Sequence, residues 1–155
     1  MTDREYWRLR PEWLRWVRQV WVEGKGRVQQ QYPAEPDHPD RVAFAERATD
    51  AFLARNIPVV NLKTWVSVQV PEDGDGYAHG YPHVHHPLDG VTLVHYLQVT
   101  DEPAMLDIFD GDLVVETIRP AIGLTVFMPN SLRHGVRKQH GRGDRVQLIA
   151  TALPR

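Results

Sequence analysis

Apolar residues recur with helical spacing early in the chain. Trp13, Leu14, Trp16, Val17, Val20 and Trp21 follow an i, i+3, i+4, i+7 pattern, Pro11 suits a first helical turn, and Gly24 and Gly26 end the run. The tryptophan-rich face predicts packing against a sheet in preference to a groove for a partner. Residues 29–40, QQQYPAEPDHPD, hold three prolines and read as a loop. A second helix over about 40–55 puts Val42, Ala45, Ala48 or Thr49, and Phe52 on one side before Asn56 and Pro58 stop it.

From Val59 onward the period changes to two. Leu62, Thr64, Val66, Val68 and Val70 alternate with Lys63, Trp65, Ser67 and Gln69, as a half-buried strand requires. Further strands are predicted at about 78–85, 91–99, 104–109, 113–118, 123–128, 134–139 and 144–152. Turns are expected at 72–76, 87–90, 110–112 and 141–144. Roughly eight short strands with no helix between them exclude a parallel βαβ sheet and leave a sandwich, barrel or jelly roll. One domain is expected over 1–155, with 1–56 as a helical cover and loop and 57–153 as the β core.

Composition narrows the function classes. At 155 residues the chain can bury a core unaided, and Lys+Arg of 18 against Asp+Glu of 20 gives no positive field to favour nucleic acid or an anionic membrane. Without cysteine there is no disulfide, thiolate metal site or cysteine nucleophile, so a metal must use nitrogen and oxygen ligands. No apolar run approaches the roughly 20 residues of a membrane helix, and MTDREYWRLR carries charge where a signal peptide would be apolar; a cytoplasmic protein is expected. The histidines stand out, because four of the eight fall between His79 and His86.

His83 and His85 lie two apart, so on a strand both imidazoles point to one side and His86 to the other. A third imidazole, His134, follows the apolar strand and proline turn of residues 123–133. Three neutral imidazoles on strands form a facial nitrogen set that leaves about three positions of an octahedral iron open.

The chain here resembles the Fe(II)- and 2-oxoglutarate-dependent oxygenases. The matching pieces are His83-x-His85, Thr92-Leu-Val-His-Tyr-Leu97, Pro120-x-x-Gly123, Val126-Phe-Met-Pro129, Leu132-Arg-His134-Gly-Val136 and Asp144-Arg145-Val-Gln-Leu, in order over about 60–153. The resemblance implies a double-stranded β-helix, a cupin-like jelly-roll barrel. It implies iron held by His83 and His134, and Arg145 gripping the far carboxylate of 2-oxoglutarate. His85 stands where that family has a carboxylate. The literal His38-Pro-Asp40 lies in the proline-rich loop and is read as a decoy. Asp89 and Asp107 are the alternative carboxylates for completing the site by another route. Asp89 is favoured because His83-x-His85-x-x-x-Asp89 also resembles the first cupin metal motif, as 129–134 resembles the second with Ser131 in place of glycine. Imidazole in place of carboxylate leaves the site one unit more positive, favouring an anionic co-ligand such as the 2-oxoglutarate dianion or a halide.

If 141–144 is a hairpin turn, residues 134 and 149 oppose and Arg145 lies about four residues, ~13 Å, along the neighbouring strand, within reach of a metal-chelated diacid. Gln147, Ile149 and Thr151 would share its face. Thr92 and Tyr96 join Arg145 as cofactor-binding candidates, with Lys63 and Thr64 as further pocket polars; the plainer reading makes each an ordinary strand residue. His79 is placed at the site's mouth, and His86, His95 and His140 are read as surface or supporting groups. Imidazoles must be unprotonated to bind metal, so activity is expected to fall below about pH 6.

The expected function is oxidation of a small molecule coupled to decarboxylation of 2-oxoglutarate. A three-histidine cupin enzyme binding its substrate directly, and a non-catalytic ligand-binding barrel, are the alternatives. With little length for a lid, the pocket is bounded by 71–82, by 29–40, or by a neighbouring subunit of a homodimer.

Overall fold

A computed structural model describes residues 2–23, 31–33, 38–78 and 81–155. The elements run β1 (Asp3–Tyr6), α1 (Pro11–Glu23), β2 (Gln31–Pro33), α2 (Pro39–Ala54), β3 (Asn61–Gln69), β4 (Val91–Gln98), β5 (Leu106–Asp110), β6 (Leu113–Ile118), β7 (Leu124–Pro129), β8 (His134–Val136) and β9 (Arg145–Leu153). A six-stranded sheet has the order β1-β7-β4-β9-β3-β2 and a three-stranded sheet the order β6-β5-β8; every strand pairing is antiparallel. This is the expected rolled architecture, a double-stranded β-helix.

Strand alternation divides the apolar residues into two cores. Val66, Val68, Leu93, Val146, Leu148 and Ala150 face the helices, where Trp13, Trp16 and Val17 of α1 and Phe44, Ala48, Ala51 and Phe52 of α2 cover the large sheet. The opposite faces, with Val94, Tyr96, Val126, Met128 and Ile149, meet Leu106, Ile108 and Ile118 of the small sheet. The stripe on α1 thus packs as its spacing predicts. On α2 the buried face is centred on Phe44, and Val42 is exposed, because the larger aromatic ring gains more from burial.

Four expectations about the strands are corrected. β1 and β2 lie in the stretch read as helix and loop. Both are short edge strands, too brief to show alternation, and an edge tolerates Pro33. Among the described residues of the stretch predicted as a strand at 78–85, that is 78 and 81–85, no regular strand forms. Isolated bridges, Tyr77 to Arg137 and His83 to His134, tie the described residues here to the small sheet's side, and Pro82 has no N–H with which to continue a ladder. Residues 141–144 are not a hairpin turn between the strands around them: β8 pairs with β5, whereas β9 lies between β4 and β3. All nine residues of β9 are buried, as a central strand covered on both faces demands. The chain therefore crosses from one sheet to the other over 137–144, with Gly141 and Gly143 in the left-handed region.

Candidate metal and anion site

His83, His85 and His134 converge. Their ring centroids are 4.6 to 5.3 Å apart, and one ring nitrogen from each lies within 4.8 Å of the other two. His134 opens β8, and its backbone exchanges two hydrogen bonds with His83: His83 N donates to the His134 carbonyl at 2.8 Å and His134 N to the His83 carbonyl at 2.9 Å. His85 N donates to the Asn130 carbonyl at 2.9 Å. Backbone bonds thus fix the roots of all three side chains.

The donors suit a divalent transition metal. Burial, then the nearby charges of His134, His83 and His86, pushes the His85 pKa down to about 4. Burial likewise lowers His134 to about 4; the bond to the Leu132 carbonyl opposes the shift and His83 adds to it. Both rings stay neutral well below the pH 6 expected from ordinary histidine. The Leu132 carbonyl lies 3.0 Å from His134 Nδ1, and since a carbonyl only accepts, Nδ1 carries the proton and Nε2 keeps its lone pair for an ion. An all-nitrogen set of neutral rings fits iron, nickel or zinc.

No carboxylate joins the cluster among the described residues. Asp89 is exposed and pairs with Arg155 at 3.0 Å. Asp107 is buried, but it is saturated by Arg137 Nε and Nη2, Tyr77 Oη and Thr117 Oγ1 at 2.7 to 2.9 Å. Burial alone would raise its pKa; those hydrogen bonds outweigh it and hold the carboxyl below the usual range. His38-x-Asp40 serves α2: His38 Nδ1 accepts from Asp40 N at 3.1 Å, and its ring stacks on Trp16. His79 lies outside the described residues. His86 is exposed, and His140 contacts the Gly74 carbonyl through Nε2 at 2.7 Å. His95 is buried between Trp7 and Trp13 with Nδ1 on Thr125 Oγ1 at 2.8 Å, far more enclosed than a supporting surface group.

Arg145 is the second unusual feature. It is 3% exposed and shares the face of β9 occupied by Gln147 and Ile149, the face turned towards the small sheet. Nη2 donates to Gln69 Oε1, while Nε and Nη1 are buried without a hydrogen-bond partner. No carboxylate among the described residues pairs with it. A guanidinium held away from water with two orphaned donors fits a ligand carboxylate. Gln147 Oε1 is also buried and unpartnered. Tyr96 is fully buried and close enough for the charge on Arg145 to oppose the rise that burial gives its pKa. Thr92 sits elsewhere, its hydroxyl engaged by Asn130 Oδ1 at 2.6 Å and Thr151 Oγ1 at 2.8 Å. Lys63 is exposed, and Thr64 accepts from Arg41.

Asn130 was not singled out by sequence. It is fully buried; Oδ1 accepts from Thr92, Nδ2 donates to the Pro87 carbonyl at 2.9 Å, and its own carbonyl holds His85 N. Its place directly after Pro129, in the turn leading to His134, is the signal that could have revealed it.

No protein-family model matches the chain, and no curated protein does. Solved structures do. A Pseudomonas putida prolyl-4-hydroxylase superposes over 99% of this chain and 92% of its own, with a TM-score of 0.69 at 16% identity. A Trichoplax adhaerens prolyl hydroxylase, in complex with a hypoxia inducible factor peptide fragment, covers 99% of this chain and 83% of its own at 14% identity, with a TM-score of 0.71. HygX from Streptomyces hygroscopicus, with nickel and 2-oxoglutarate bound, covers 97% and 82% at 15% identity, with a TM-score of 0.65. At these identities the likeness is one of fold: the chain has the double-stranded β-helix of the prolyl hydroxylases and HygX, the architecture its sequence resemblance implied.

Proposed function

We propose that this protein is a non-haem Fe(II)- and 2-oxoglutarate-dependent oxygenase of a small molecule. The observation that carries this reading is Arg145, a buried cation with two unpartnered donors on the inner face of the barrel that also presents three convergent imidazoles. HygX, of the same fold, has been seen with nickel and 2-oxoglutarate and also with hygromycin B, which supports both the cosubstrate and a small-molecule substrate.

In this reading His83, His85 and His134 hold the iron. Once bound, iron supplies oxygen activation coupled to oxidative decarboxylation of 2-oxoglutarate to succinate and CO₂. The residues themselves bind and exclude. Arg145 takes the far carboxylate through an unpartnered N–H, a charge-assisted pairing strengthened by the absence of water. Tyr96 and Gln147, paired across β4 and β9, are buried polar residues of the same inner face, and Val94, Ile108 and Ile149 of the apolar core there exclude water. Neutral imidazoles bring no charge to the site, so the ion's two positive charges meet the dianion's two negative ones.

The deciding experiment is single-turnover release of succinate after Fe(II), 2-oxoglutarate and O₂ are added, with Arg145→Met alongside. Succinate from the wild type, and little from the variant, is the expected result. The all-nitrogen ligand set favours one second reading, a cupin-type enzyme whose substrate binds the metal directly. Iron-dependent substrate oxidation without 2-oxoglutarate would select it.

A further inference from the structure

Arg145 is not placed by its own strand alone. Gln69, the last residue of β3, lies opposite it in register and is itself buried. Gln69 Oε1 accepts from Arg145 Nη2, and Gln69 Nε2 donates to the Arg137 main-chain carbonyl at 3.5 Å. Arg137 follows β8, and its guanidinium grips Asp107 of β5 with two hydrogen bonds. One amide therefore ties the inward-facing cation of the large sheet to the backbone of the small one.

The chemistry of the amide matters here. Its oxygen supplies the acceptor that fixes one end of the guanidinium, and its nitrogen supplies the donor the carbonyl needs. A glutamate would offer the acceptor, but it would neutralise Arg145 and set a second oxygen against the Arg137 carbonyl. A hydrocarbon would leave Nη2 buried without a partner and the guanidinium free to turn. We infer that Gln69 is a positioning residue: it locks the Arg145 guanidinium with Nε and Nη1 uncommitted while leaving its positive charge uncompensated, so that diacid affinity depends on Gln69 as well as on Arg145. This rests on the reading of Arg145 as the group that binds the far carboxylate of 2-oxoglutarate.

The test is calorimetric titration of 2-oxoglutarate into the full chain loaded with Mn(II), a redox-quiet stand-in for iron, together with the melting temperature of each protein. Gln69→Glu is expected to melt no lower than wild type, because it gives the buried cation a counter-charge, yet to bind 2-oxoglutarate at least tenfold more weakly. Gln69→Leu is expected to bind several-fold more weakly, since the charge remains but its orientation is lost. A merely structural glutamine predicts the opposite pattern: both variants melt lower, and the folded protein binds with unchanged affinity. That result overturns the inference. Failure of the underlying reading looks different, with Arg145→Met binding as tightly as wild type or with wild type not binding at all. Either outcome removes the basis for a role at position 69.

Discussion

The main chains of His83 and His134 are bonded to each other in both directions, at 2.8 and 2.9 Å. The pairing uses no side-chain atom, so it survives side-chain replacement. His83→Ala and His134→Ala are expected to keep the wild-type circular dichroism spectrum while losing at least two orders of magnitude in affinity for Fe(II) or Ni(II). Competition with a fluorescent chelator measures this. Unchanged affinity in either variant would remove that ring from the ligand set.

Asn130 reaches the site through His85. Its side chain holds Thr92 and the Pro87 carbonyl, and this fixes the carbonyl to which His85 N donates. Asn130→Ala should destabilise the fold by about 2–3 kcal/mol, from two lost hydrogen bonds, one buried and one part-buried, and should weaken metal binding roughly tenfold, as loss of a ligand's outer support does elsewhere. Urea unfolding and metal titration report the two effects separately.

Burial, with a smaller contribution from Arg47, pushes the His95 pKa from 6.5 down to about 4. In the unfolded chain this ring takes up its proton near pH 6.5; in the folded protein it resists until about pH 4. The unfolded state therefore binds more protons across this window. Stability is full above pH 6.5 and falls as the pH drops towards 4, by up to about 3 kcal/mol from this residue. Unfolding free energies measured from pH 7 to 4.5 should fall less steeply for His95→Asn than for wild type.

Asp107 gives a control. Its carboxylate is satisfied by Arg137, Tyr77 and Thr117 rather than by the imidazole cluster. Asp107→Ala is expected to cost about 2–3 kcal/mol in stability with unchanged metal affinity in the folded protein. Because its pKa is lowered, its contribution is present above the ordinary carboxylate pKa and is lost in acid. A large drop in metal affinity at neutral pH would return Asp107 to the site.

Periodicity revealed most of the framework, because β3, β4, β7 and β9 carry runs long enough for alternation or continuous burial to show. It missed β1 and β2, whose pairing is decided by the neighbouring strand and not by their own residues. The spacing of His83, His85 and His134 was legible although the strand supposed to present the first two is irregular; the bridge to His134 does what a regular ladder would have done. Arg145 stands out in the sequence, but the hairpin register used to place it is not the one the structure has. It reaches the interior from the opposite sheet, across from Gln69, and no local pattern records a partner so distant in sequence. Gln69 is illegible for the same reason, since a buried amide acquires its role from what folds around it, whereas Asn130 at least follows a proline in a turn.

The small sheet's side carries His134 and, through its bridge, His83, whereas the guanidinium hangs from β9 in the middle of the large sheet. The candidate ion-binding rings and the candidate acid-binding cation are thus rooted on different walls of one barrel. Substitutions on β3 and β9 bear first on the cation and those around β8 first on the rings, while the Gln69 amide, bonded to both walls, passes a disturbance of one on to the other.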